Sequence, residues 1–151
     1  MNGQQRLAIF LAFADILTDR QFPEGQRIKD FSLSDLNDAQ EHTKFEDFQQ
    51  VRRVLRAMEG DGLARNTNGF WSLSAAGAVY RYLCRKAETA VDPAERISYR
   101  KLTMLEEFDA YAAKNINHAP TELRERNLVE ADFRNKTVWL SDVFYPLSLL
   151  A

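Results

Sequence analysis

At 151 residues, with 45% hydrophobic and 28% charged side chains, the chain has room for one domain, or a small domain with an appendage, built on a hydrophobic core. A formal charge of −2 excludes a polycation, so any nucleic-acid contact must come from a local patch. A single cysteine, Cys84, cannot close an internal disulfide or build a multi-cysteine zinc site, and His42 and His118 lack ligand-type spacing, so no metal or other cofactor is expected.

Leu7, Phe10, Leu11, Ala14 and Leu17 or Thr18 recur at three- and four-residue intervals, which predicts a first helix with one buried face. The apolar run over residues 7–14 is well short of the ~20 residues that span a bilayer, and no small-residue cleavage site follows it. A buried helix in a cytoplasmic protein is therefore expected. Pro23 and Gly25 should end that helix. A short extended piece is predicted over residues 28–31, then a short helix capped by Ser34 with Leu36 and Ala39 inward.

Thr43 and Glu46 have the spacing of a capping box and predict a helix over residues 43–59. Its inner face would hold Phe45, Phe48, Val51, Leu55 and Met58. Glu46, Gln49, Gln50, Arg53, Arg56 and Ala57 would lie on the other side. Gly60 and Gly62 supply the left-handed stop such helices favour. Asn68-Gly69 between two pairable runs predicts a hairpin with a type I′ turn. Pairing across that turn puts Ala64, Trp71 and Leu73 on one face and Arg65, Thr67 and Phe70 on the other. Ser74 should cap the next helix, with Ala75, Val79, Tyr82 and Leu83 buried and Cys84 a small structural residue.

Asp92-Pro93 reads as the start of a long helix to about Lys114, striped by Ile97, Leu102, Leu105, Phe108 and Tyr111 or Ala112. Residues 115–127 read as irregular, with at most a helical turn after Thr121. A second hairpin is predicted at the end, with Val129, Ala131 and Phe133 alternating before a turn over residues 134–136. No internal repeat is visible in the sequence.

The order helix, short extended piece, helix, capped helix, hairpin, helix over residues 5–86 resembles a winged helix-turn-helix domain of the MarR-like and PadR-like kind. Gly62-Leu63 matches the step into the first wing strand, and Leu73-Ser74-Ala75-Ala76-Gly77 matches the helix start after the wing, with serine for threonine. The expected architecture is mainly α with small β-hairpins: a winged-helix domain over residues 1–88, then a long helix and C-terminal hairpin over residues 92–151 that dimerise or form a lid.

The resemblance implies a DNA-binding transcriptional regulator, with the helix over residues 43–59 entering the major groove of double-stranded DNA. Gln49, Gln50, Arg53 and Arg56 are chemically suited to base edges, and Arg65 and Asn66 to the backbone. Between Arg52 and Lys86 there are seven basic and two acidic residues, a local charge of +5. The long helix would pair two copies into a homodimer. The alternative is a winged helix used as a protein-interaction module, to which the acidic second helix (Asp35, Asp38, Glu41) and the uncharged wing tip are better matched. No glycine-rich phosphate loop, nucleophile elbow or His-Glu-x-x-His pattern is present, so an enzyme is not expected.

Overall fold

The computed structural model describes residues 1–19, 26–39, 44–141 and 144–151. The side chains of Asp35, Asp38 and Ala39 lie outside that description, as do Pro23, Gly25, Glu41 and Thr43. The chain is α+β, with two small antiparallel sheets of three strands each. It divides into two compact units, one of residues Met1–Leu73 with Tyr145–Ala151 and one of Ser74–Phe144. The helix after the first hairpin is thus grouped with the C-terminal unit, whereas composition suggests a break near residue 88.

The first unit runs α1 (Gly3–Asp19), β1 (Gln26–Arg27), α2 (Leu33–Ala39), α3 (Phe48–Gly60), β2 (Ala64–Thr67) and β3 (Phe70–Leu73). In α1, six consecutive residues from Ile9 to Ala14 are buried, so its apolar surface is wider than a single stripe. Phe13 anchors this core, with ring centroids 5.7 Å from Phe31 and 5.6 Å from Phe45. The extended piece falls at residues 26–27 and gives way to a 3-10 turn over Ile28–Asp30, two residues earlier than its apolar pattern suggests. Because α2 starts at Leu33, Ser34 lies inside its first turn and is not the cap, while Leu36 is fully buried as expected.

In α3 the N-cap is Asp47, whose carboxylate accepts from the amides of Gln49 (3.0 Å) and Gln50 (3.1 Å). Such a cap is worth ~1 kcal/mol. The described helix therefore begins later than Glu46. This start leaves Phe48 in the exposed first turn at 40% exposure, a correction to its inward assignment. Ala57 corrects the other way: it is only 1% exposed, because the buried face widens from Val51, Leu55 and Met58 to include Val54 and Ala57.

The helix ends in a Schellman motif. Gly62 takes φ 73°, its N–H donates to the Glu59 carbonyl (2.9 Å), and the Leu63 N–H donates to that of Met58 (2.8 Å). The hairpin has the register read from Asn68-Gly69, with Ala64 opposite Leu73 and Thr67 opposite Phe70. Asn68 (φ 55°) and Gly69 (φ 87°) both take the positive φ of a type I′ turn. β1 pairs with the other edge of β3, giving the order β1-β3-β2. The C-terminal segment completes this unit. Leu147, fully buried, donates its N–H to Oδ2 of Asp61 at 2.6 Å.

The second unit runs α4 (Ala75–Thr89), β4 (Ile97–Ser98), α5 (Tyr99–Thr103), α6 (Ala113–Glu125), β5 (Val129–Asp132) and β6 (Thr137–Leu140). Ser74 caps α4, its hydroxyl accepting from the Gly77 amide at 2.9 Å. The buried side of α4 holds Ala76, Val79, Tyr80, Leu83 and Cys84, so the stripe is rotated from Ala75 and Tyr82. Burial pushes the Cys84 thiol up to about 12.

The long helix expected from Pro93 is not formed. Asp92 opens a closed turn, with Oδ1 accepting from the Ala94 amide (3.0 Å) and its carbonyl from Glu95 (3.1 Å). Ile97 joins a strand instead, and Ser98 caps the short α5 by accepting from Lys101 (3.1 Å). Ile97, Leu102 and Phe108 are buried all the same, carried by three short pieces rather than one helix. With that helix gone, the feature that suggested a homodimer goes too. Residues expected to be irregular form α6, whose buried Ile116, Ala119, Pro120 and Leu123 make an unbroken helical stripe. The second hairpin is present, but its first strand ends at Asp132, so Phe133, expected to continue the alternation, is 49% exposed in a four-residue connection over 133–136.

Each unit therefore has the same order: helix, short strand, helix, helix, hairpin. The sheet order β4-β6-β5 repeats β1-β3-β2. α6 ends as α3 does, with Asn127 at φ 61° donating to Arg124 (2.9 Å) and Leu128 donating to Leu123 (3.0 Å). At a constant offset of 65 residues, buried Val51, Val54, Met58, Leu63 and Ala64 correspond to buried Ile116, Ala119, Leu123, Leu128 and Val129. Only Leu63 and Leu128 are identical within that set. The repeat lies in burial and backbone, which is why the sequence does not display it.

Candidate nucleic-acid interface

Between the 3-10 turn after β1, α3 and the hairpin tip, the first unit has an open groove of about 410 Å³. It is lined by Arg27, Ile28, Lys29, Arg52, Arg56, Asn66, Gly69 and Trp71. Four of these are cations and none is a carboxylate. Arg52 and Arg56 are one turn apart on α3, so their guanidinium groups share one side of the helix. Arg27 reaches the groove because β1 pairs it directly with Phe70, and its guanidinium lies over that ring at 4.2 Å from the centroid. None of the four cations is in an ion pair among the described residues, so their charge is available to an anion.

The structure divides the residues read from the sequence. Arg56 and Asn66 line this groove, and Asn66 also holds the turn, its Oδ1 accepting from the Gly69 amide at 2.9 Å. Arg65 is exposed on β2 opposite Ser72, next to the groove wall but not in it. Gln49 is exposed in the first turn of α3. Gln50 works as a structural clamp: its Oε1 accepts from the Glu46 amide at 2.6 Å, a relative of the capping box displaced by one residue. Arg53 turns toward a different cavity of about 370 Å³, together with Lys44, Phe45, Gln50 and Val54.

Sequence reasoning missed Arg27, Lys29 and Arg52. Arg52 is adjacent to Arg53 in the run Val51-Arg52-Arg53, and its i, i+4 spacing to Arg56 is the signal that would have found it. Nothing local in the sequence indicated that Arg27 and Lys29 would reach α3, because that depends on β1 pairing with β3 across more than forty intervening residues. No group of three or more His, Cys, Asp or Glu positioned to hold a metal ion occurs among the described residues. Among them, too, no helix is long and apolar enough to cross a membrane. In comparisons with known proteins, no family model, curated protein or solved structure matches this chain.

Proposed function

We propose that the first unit is a winged helix-turn-helix module that binds double-stranded DNA and acts as a transcriptional regulator. The order of its elements and its β1-β3-β2 sheet are those expected of such a module, with α3 as the helix presented to the major groove. The observation that carries the reading is the groove in which Arg27, Lys29, Arg52 and Arg56 converge, with no carboxylate among its described lining residues. Four cations around one cleft, none in an ion pair among the described residues, suit the phosphodiester backbone, whose neutralisation drives sequence-independent affinity. In this arrangement Arg52, Arg56, Arg27 and Lys29 grip phosphates. Gln49, exposed in the first turn of α3, faces base edges, and Arg65 and Asn66 extend the backbone contact along the hairpin.

A second reading, a protein-interaction module, draws on Phe48 and Phe70, apolar side chains that are 40% and 36% exposed. The two readings separate in a duplex titration followed by fluorescence anisotropy. Replacing Arg52 and Arg56 by alanine removes two phosphate contacts. It should make the loss of affinity between about 50 and 200 mM salt about 12-fold smaller than for wild type. Salt-insensitive binding, or none, would leave the interaction module standing in its place.

A further inference from the structure

We infer that the second unit carries its own phosphate-binding groove, so that one chain holds two nucleic-acid contact surfaces. The inference rests on the DNA reading of the first unit and extends it to a surface that the amino-acid sequence does not suggest. The groove, of about 530 Å³, is lined by Ser98, Tyr99, Arg100, Thr103, Ala113, Lys114, Asn117, Asn135 and Lys136.

Its location follows from the repeat. Strand register equates Arg27 with Ser98, because Phe70 and Thr137 are their partners on the third strand of each sheet. Two residues further on, Lys29 therefore corresponds to Arg100, and both line their grooves. The 65-residue offset of the helices equates Arg52 with Asn117, again a lining pair. At the hairpin tip, Gly69 (φ 87°) precedes Phe70 as Lys136 (φ 53°) precedes Thr137, and these too line the two grooves. With Arg27 and Ser98, which line the two grooves as well, four equivalent backbone positions frame each cleft.

The chemistry of the second groove also favours an anion. Arg100, Lys114 and Lys136 are all exposed, none is in an ion pair among the described residues, and no carboxylate lines the cleft. The N-cap of α6 is Ala112, which offers no side-chain acceptor, and the first two residues of the helix, Ala113 and Lys114, line the groove. Tyr99 also lines the cleft. It is only 6% exposed, and its Oη has no hydrogen-bond partner among the described residues. The buried hydroxyl belongs to the wall of the cleft, and the three exposed cations are the groups that match the oxygens of a phosphodiester.

The test uses the full chain and a short random-sequence duplex. Arg100→Gln, Lys114→Gln and Lys136→Gln together should make the slope of log affinity against log salt shallower by about 2.7, or about 40-fold less affinity lost between about 50 and 200 mM. Each single variant should supply about a third of that change in slope, which keeps the test open if the triple variant is unstable. Arg100→Lys with Lys136→Arg should bind like wild type, since charge is retained. A triple variant with the wild-type slope, beside a weakened Arg52→Ala, Arg56→Ala protein, would overturn the second groove and leave the first intact. Absence of salt-dependent duplex binding by wild type would overturn both.

Discussion

Gly62 and Asn127 occupy the same position, the left-handed residue that ends the third helix of each unit, and substitutions there have calculable effects. Gly62 has φ 73°, where an L-residue pays roughly 1–2 kcal/mol. Gly62→Ala should therefore cost the first unit that amount, because the turn also aims Leu63, fully buried, into the core. Asn127, at φ 61°, already carries a side chain of the type that tolerates this region. Asn127→Ala should cost about 1 kcal/mol in the second unit, whereas Asn127→Gly should not destabilise it. The two tryptophans of the chain fall one in each unit, Trp71 on β3 and Trp139 on β6, so each unit has its own probe. With Trp139→Phe as background, urea unfolding followed at Trp71 should show Gly62→Ala lowering the midpoint by roughly 0.5–1 M for a slope of about 2 kcal/mol/M. An unchanged midpoint would refute the argument that this backbone position requires glycine.

Three further outcomes follow from local geometry. Asp47→Ala should destabilise the first unit by ~1 kcal/mol by removing the α3 cap, while Asp47→Asn keeps an acceptor and should lie within a few tenths, both read from the Trp71 transition. Asp132 accepts from the amides of Arg134 and Asn135 and from the Asn135 side chain; the Asn135 amide foremost holds its carboxyl below the usual aspartate value of 3.8. A group depressed on folding stabilises above its unfolded value, so the second hairpin should lose stability as pH falls through and below 3.8, and Asp132→Asn should flatten that part of the pH profile. Cys84, 4% exposed with its thiol pushed up to about 12 by burial, should react with a thiol reagent at pH near 8 only after unfolding; rapid labelling of the native protein would contradict its placement.

The N-terminal half was legible where the determinants are local. Asn68-Gly69 specified turn type and register, Gly60 and Gly62 marked the end of α3, and Ser74 marked a cap, since each acts within a few residues of itself. In the C-terminal half, the stripe Ile116, Ala119, Pro120, Leu123 was present in the sequence, but a proline in its middle concealed the helix. Proline at 120 forfeits one hydrogen bond, and the apolar face it helps to bury outweighs that loss. Conversely, Ile97, Leu102, Leu105 and Phe108 have spacing that also suits one long helix; strand pairing of Ile97 with Val138 decides otherwise. The candidate groove was half legible. Arg56 and Asn66 could be read from helix and hairpin, but Arg27 and Lys29 join them only through the pairing of β1 with β3. The same non-local pairing, repeated in the second unit, brings Arg100 beside Lys136.

The slope of log affinity against log salt for wild-type protein on duplex DNA tests the central claim most directly. Four cations in the first groove, each neutralising one phosphate at about 0.9 per contact, predict a slope at least as steep as about −3.6. Binding that is absent at low salt, or a slope indistinguishable from zero, would contradict the account.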